Sequence, residues 1–193
     1  LFGITQGGIY KDLREKSAEQ LIELNFDGYA IGGIALPKSC YEDIEKAKKQ
    51  EYEIIKIVKK IIPENKVCYV MGEGDPDWML EMISLGVDCF DSKYPTESAR
   101  RGTLFTSHGK IKILNKKYET DKTPIDKNCR CFVCKNYSKA YIRFLLREDE
   151  AVGKELASYH NLYYLQDLMK QAKDAIRNGK FRGFKDKIKK IYK

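Results

Sequence analysis

The stretch VCYVMGEGDPDWMLEMISLGVDCFDS, Val67–Ser92, decides the fold class. Val67–Met71 is a short apolar run closed by Gly72 and reads as a strand. Pro76–Leu85 reads as a helix with proline in its first turn, where the missing N–H costs nothing. Val87–Ser92 (VDCFDS) reads as the next strand. A strand, a crossover helix and a second strand make a parallel βα unit. The same alternation runs upstream. Leu1–Gln6 (LFGITQ) is a strand, and Tyr10–Leu24 a helix whose apolar face includes Ala18, Leu21 and Ile22, with Leu13 as a further candidate. Tyr29–Ile34 (YAIGGI) is a strand, and Tyr41–Ile62 sets Ile44, Ala47, Ile54, Ile55, Val58, Ile61 and Ile62 at helical spacing before Pro63. Four such alternations predict an α/β fold with helices over a parallel sheet. A complete (β/α)8 barrel takes about 250 residues, so the expected architecture is at most half of one.

After Asp91 the pattern changes. Thr103–Ile113 alternates around His108-Gly109 as a β-hairpin, with His108 an exposed turn residue. A cysteine cluster follows at 129–134, then helices near Asn136–Arg147 and His160–Asn178, and a basic tail from Lys180. The expected division is a half-barrel over residues 1–102, a hairpin and metal-binding subdomain over 103–158, and a C-terminal helix and tail over 159–193.

With 193 residues, 42% of them hydrophobic and 33% charged, the composition is that of a soluble globular chain. No apolar run approaches the roughly 18 residues of a membrane span, and nothing reads as a signal peptide, so the cytoplasm is the expected compartment. The opening at Leu1, inside a strand pattern, predicts a piece of a longer protein or one half of a split one. Residues 1–109 carry 14 basic and 18 acidic side chains, whereas residues 110–193 carry 22 and 10. A basic C-terminal part is the footprint of a polyanion-binding surface, nucleic acid first among them, or else a solvated lysine-rich face.

Cys129, Cys131 and Cys134 form C-x-C-x-x-C, and His160 lies between two helical stretches 26 residues beyond the last of them. Three thiolates and one imidazole make a closed tetrahedral site, which predicts one structural Zn2+ with no open catalytic position. A disulfide framework is the competing reading, disfavoured without a secretory leader. Cys68 and Cys89 fall inside strand patterns and Cys40 near them, as buried free thiols do.

In parallel α/β folds the chemistry gathers at the C-terminal strand ends. Here those ends read Gln6-Gly7-Gly8, Gly32-Gly33, Met71-Gly72-Glu73-Gly74 and Asp91-Ser92. Each taken singly is compatible with plain turn chemistry. Together they set an amide, backbone groups, the Tyr69–Met71 pair and a carboxylate on one rim.

The segments LFGITQGG, GYAIGGI, YVMGEG, GVDCFDSKYPTESARRGTLFT, the C-x-C-x-x-C cluster and HNLYYL occur in the order found in tRNA-guanine transglycosylases. The chain resembles the second half of the bacterial-type (queuine) branch over essentially its whole length. The resemblance implies the C-terminal half of a TIM barrel bearing a zinc subdomain. It also implies an enzyme that exchanges guanine at the tRNA wobble position for a 7-deazaguanine base. Asp91 would be the nucleophile that forms a covalent ribosyl-enzyme. Gln6, Gly32 and Gly33 would bind the base edge, with Met71 stacking on it and Tyr69 packed nearby. Gly72, Glu73, Gly74, Asp75, Pro76, Asp77 and Trp78 match a segment that approaches RNA. Thr96, Glu97, Ser98, Ala99 and Arg100 match the segment that reads the wobble neighbourhood. Zinc would be held by Cys129, Cys131, Cys134 and His160. Implied partners are tRNA, guanine and 7-deazaguanine bases, a second copy or related subunit in a dimer, and the N-terminal half-barrel, whether in the same chain or a separate subunit.

The chain departs from the pattern at Lys93, where a small apolar residue is usual, and at Glu97, where arginine is usual. A charged stretch near Lys46–Glu53 also lengthens one connection. The acid/base carboxylate and a stacking aromatic belong to the other half. A non-catalytic, zinc-containing tRNA-binding subunit of the same fold is the alternative; a fragment acting on small sugars would leave the zinc module and basic tail without a task. In the tail, Phe181, Phe184 and Tyr192 interleave with lysines, which fits a helix packing its aromatics inward, lysines meeting phosphate, or both.

Overall fold

Short apolar runs separated by longer amphipathic stretches favour parallel strands joined by helices. The computed structural model, which describes residues 1–34 and 43–192, has this arrangement in its first unit, Leu1–Ser92. Strands β1 (Phe2–Thr5), β2 (Gly28–Ile31), β3 (Val67–Met71) and β4 (Cys89–Asp91) form one parallel sheet in the order β1-β2-β3-β4. Helices α1 (Lys11–Glu23), α2 (Ile44–Lys59) and α3 (Pro76–Ser84) alternate with them. The register pairs Thr5 with Ile31, Ile31 with Val70 and Met71 with Asp91, so all four C-terminal ends lie along one edge.

Side chains of a strand alternate between faces. One face joins the helices in a core of Tyr29, Ile31, Ile54, Ile55, Val58, Cys68, Val70 and Met82. On the other, Phe2, Ile4, Val67, Cys89 and Asp91 are exposed. Cys89 therefore differs from the expected buried thiol, because it shares the uncovered face with Asp91, two residues on. Cys68 is buried as expected. Cys40 and the expected helical residues 41–42 lie outside the described residues; α2 begins at Ile44, with the Asp43 side chain accepting from Lys46 N at 3.0 Å. In α1, Leu13 is exposed and Arg14 is buried with Ala18, the reverse of what hydropathy predicts.

The second unit, Lys93–Lys193, holds α4 (Tyr94–Arg100), β5 (Thr103–Thr106), β6 (Gly109–Lys112), a 3-10 turn at Lys116–Tyr118, α5 (Phe132–Asn136), α6 (Lys139–Arg147), α7 (Ala151–Arg177) and α8 (Phe181–Tyr192). β5 and β6 form the expected antiparallel hairpin, pairing Thr106 with Gly109, and His108 is exposed at its turn. Ala99, Leu104, Ile113, Ile125, Val133, Ile142, Leu146 and Ala157 make this unit's core.

Two features differ from the sequence reading. α4 appears where no helix was expected, since YPTESAR buries only small residues, Pro95, Ser98 and Ala99. α7 begins at Ala151, so His160 lies inside a helix; its buried stripe passes through Gly153, Ala157, His160, Asn161, Leu165 and Leu168, and the two polar members hide the period. The tail is helical: α8 buries Ile188, and Tyr192 donates to Thr106 O at 3.0 Å while its ring meets Phe105 and Tyr164. Among the described residues no helix is long and apolar enough to cross a membrane.

Candidate active site and metal centre

Asp91 ends β4 opposite Met71. Its Oδ1 accepts the Tyr69 hydroxyl and, at 3.1 Å, the Gly72 N–H. Among the described residues Oδ2 takes no hydrogen bond. The bond to Asp91, and then burial, push the Tyr69 phenol up to about 12. Ser92 Oγ donates to Gly72 O at 3.1 Å, which ties the two strand ends again. The Tyr69 ring also meets Phe2 edge-on at 6.3 Å on the uncovered face. A carboxylate held through one oxygen and open at the other is suited to attack an electrophilic carbon.

At the ends of β1 and β2, Gln6 lies over Gly32 and Gly33. A Cβ on Gly32 would stand 2.6 Å from Gln6 Nε2, and one on Gly33, whose φ is +65°, 3.0 Å from Gln6 Oε1. Glycine is what permits this approach. Gln6 N donates to Ser17 Oγ at 3.1 Å, which fixes the loop to α1. Arg14 holds both loops from beneath: Nε donates to Gly8 O at 2.8 Å, and Nη1 to Gly32 O at 2.9 Å and Thr5 O at 3.2 Å. Burial lowers the pKa of this guanidinium from its ordinary value.

The segment after β3 is mostly inaccessible. Glu73, Gly74, Asp75, Pro76 and Trp78 are buried, Asp77 is half-buried and Gly72 is exposed. Glu73 Oε1 accepts from Gly74 N and Asp75 N at 2.7 and 2.6 Å. Lys48 reaches Asp77 at 3.1 Å and lies 4.9 Å over the Trp78 ring. Burial, then the bond to Asp75, raise the Asp77 pKa. These side chains build the turn into α3 more than they face solvent.

In the second unit, Thr96 and Glu97 are half-buried, Ser98 and Ala99 buried, and Arg100 exposed. The two departures, Lys93 and Glu97, meet across one helical turn at 3.7 Å, and Arg101 Nη2 lies 2.7 Å from Glu97. The acidic group is thus flanked by two cations.

Cys129, Cys131, Cys134 and His160 come together, with their four ligand atoms within 4.8 Å of one another. Nδ1 of His160 lies 3.9, 3.5 and 3.4 Å from the sulfurs of Cys129, Cys131 and Cys134. A tetrahedral ion with metal–sulfur bonds of roughly 2.3 Å and metal–nitrogen bonds of roughly 2.0 Å sets sulfur and nitrogen about 3.5 Å apart. The group can therefore bind one metal ion, and its donor set suits a structural zinc. His160 Nε2 is 2.8 Å from Phe105 O, and since a carbonyl only accepts, the ring carries its proton there and turns the Nδ1 lone pair inward. Cys131 caps α5, accepting from Cys134 N at 3.3 Å. Hydrogen bonding from Cys129 and Cys134 lowers the Cys131 pKa, and the same cluster raises that of Cys134. Burial pulls His160 down, yet hydrogen bonds to Cys129 and Cys131 outweigh it and raise it to about 9. A bound cation displaces these shared protons.

Two residues were missed by sequence reasoning. Arg14 carried only the faint signal of lying four residues before the buried Ala18. Asn161, fully buried, accepts from Phe105 N at 2.9 Å and donates to Pro95 O and Thr103 O, each at 3.0 Å. It ties α4 and β5 to α7, and its only signal was its place beside His160.

The sequence family described as Queuine tRNA-ribosyltransferase matches residues 1–193. Proteins of that name from Halothermothrix orenii, Fusobacterium nucleatum and Lysinibacillus sphaericus are 44%, 45% and 45% identical over the whole of this chain, which covers 49%, 50% and 48% of their lengths. The chain thus spans about half the length of the curated relatives it matches. With the strand-end motifs and the Cys3His group in place, the chain belongs to the queuine tRNA-ribosyltransferase family.

Proposed function

We propose that this chain is the nucleophile-bearing C-terminal half of a tRNA-guanine transglycosylase, a pentosyltransferase that exchanges guanine at the anticodon wobble position for a 7-deazaguanine base. The observation that carries the reading is Asp91, held through Oδ1 by Tyr69 and Gly72 with Oδ2 open. Oδ2 attacks the anomeric carbon of the wobble ribose as the carbon–nitrogen bond to guanine breaks. The electron pair leaves with guanine, whose protonation falls to an acid in the other half of the enzyme. The resulting ribosyl-aspartate is opened when the incoming base nitrogen attacks the same carbon, the carboxylate departs, and the proton that nitrogen carried passes to the group that had protonated guanine.

The Gln6 amide and the Gly33 backbone hold the base edge, with Met71 against its face. The uncovered sheet face that carries Phe2, Ile4 and Asp91 is the interior of half a TIM barrel, closed by the N-terminal half. Zinc in the Cys3His group fixes the hairpin, α5 and α7 of the second unit. The basic C-terminal part, Thr96–Arg100, Gly72 and Asp77 meet tRNA, and the enzyme acts in the cytoplasm as a dimer.

The test uses the full-length protein that carries this chain, with tRNA and labelled guanine. The unsubstituted protein incorporates label and leaves a tRNA adduct on denaturing gels when free base is withheld; Asp91→Ala does neither. Incorporation by Asp91→Ala at the unsubstituted rate overturns the assignment. Tight tRNA binding with no exchange and no adduct would instead establish a non-catalytic subunit, the reading that Lys93 and Glu97 favour.

A further inference from the structure

Arg14 has no part in the reaction above, yet among the described residues every hydrogen bond its side chain donates goes to a carbonyl of the two loops that bear Gln6 and Gly33. Besides the bonds to Thr5, Gly8 and Gly32, its Nη2 lies 3.5 Å from Gly33 O. Thr5 and Gly8 bracket Gln6 in the chain, so one planar guanidinium spans both sides of the base edge. Its side chain is fully buried, and among the described residues no carboxylate pairs with it. An unpaired buried cation is costly where an apolar side chain would pack as well, so packing alone does not account for it. What an arginine adds is a rigid fork of five N–H groups that can hold several carbonyls in fixed relation.

The direction of those carbonyls decides the direction of the adjacent N–H groups. In a trans peptide the C=O and the following N–H point opposite ways, and the described residues contain no cis bond. With Gly32 O drawn onto Arg14, the Gly33 N–H faces away from it.

We propose that Arg14 is a positioning residue for the base: it fixes the spacing of the Gln6 amide and the Gly33 N–H without touching the base itself. The inference rests on the base-exchange reading above.

The test is Arg14→Lys in the full-length protein. Lysine keeps the charge but offers its donors from a single point and cannot span both loops. The KM for guanine should rise about tenfold, while the KM for tRNA stays within about twofold. A merely structural loss lowers the amount of active protein, hence kcat, and leaves both KM values where they were. A guanine KM in Arg14→Lys within about twofold of the unsubstituted value overturns the proposal and leaves base exchange standing. Absence of exchange in the unsubstituted protein overturns both. Should Arg14→Lys fail to fold, unsubstituted protein labelled with 15N-arginine supplies the second readout. The Arg14 Nε–H resonance is expected to shift on saturation with guanine, and an unmoved resonance in guanine-saturated protein overturns the proposal.

Discussion

Gly32 shows how little the strand ends allow. An added methyl there would meet Gln6 Nε2 at 2.6 Å and Ile4 Cγ2 at 3.0 Å. The first is the far end of a flexible side chain, so it moves aside at small cost to the fold and at large cost to the base edge. Gly32→Ala should raise the guanine KM about tenfold and leave the melting temperature within about 2 °C. A raised KM accompanied by a fall in melting temperature well beyond about 2 °C would place Gly32 in the fold instead. If Oδ2 of Asp91 forms the bond to ribose, Oδ1 becomes the ester carbonyl, and the Tyr69 hydroxyl stabilises charge returning to it as the ester opens. Tyr69→Phe should therefore slow turnover about tenfold and make the trapped tRNA adduct accumulate beyond the unsubstituted level. The pH sign follows from the phenol. Its pKa is raised from 10.0 to about 12, so the neutral donor is favoured in the fold. That contribution is complete below the unfolded value of 10.0 and lost as pH rises toward about 12. Exchange should show no loss from this group below pH 10.0, and Tyr69→Phe should lower the whole profile, not move its alkaline limb.

At the scale of elements, α7 joins two kinds of cross-link in adjacent residues, the metal ligand His160 and the amide Asn161. Asn161→Leu keeps volume but orphans the buried Phe105 N–H and the Pro95 and Thr103 carbonyls. The expected loss is about 2–4 kcal/mol, read from the denaturant midpoint with the slope unchanged. A loss under about 1 kcal/mol would show that water satisfies these groups. Metal analysis should find one zinc per chain in the unsubstituted protein and none in His160→Ala, and a chelator should lower the unfolding temperature of the unsubstituted protein alone. The elements themselves were legible to differing degrees. β3 and α3 could be read because their apolar residues keep their period. α7 was read from His160 onward only, since a buried histidine and asparagine break its stripe. α4 was hidden by small buried residues that carry no period. The zinc ligands stood out as chemical types at fixed spacing and Asp91 through the family resemblance of its motif, whereas Arg14 could not, because its partners are backbone carbonyls that no sequence displays.

Over the whole molecule, charge and apolar surface are sorted by position in the chain. The first part, slightly acidic, keeps Asp91 and the Gln6 and Gly33 loops on a sheet whose other face is packed; the cationic excess lies after residue 109. The structure sharpens what the tail does with its lysines. Phe105, Tyr164 and Tyr192 group together, Ile188 is buried, and Lys110 lies 5.9 Å over the Tyr192 ring, so α8 is docked on the hairpin by its apolar side. Lys187, Lys189 and Lys190 are exposed and Lys185 is half-buried. Because the helix is already ordered, contact with phosphate would carry no folding cost, and its strength would come from counterion release. Changing Lys185, Lys187, Lys189 and Lys190 to Gln together should weaken tRNA binding and flatten the plot of log affinity against log salt by about 0.7–0.9 for each phosphate contact removed. The guanine KM should not change, since the base loops belong to the other unit. Unchanged affinity with an unchanged salt slope would assign these lysines to solvation alone. A changed affinity with an unchanged slope would point to disturbed packing of α8, which the melting temperature of the same variant would reveal.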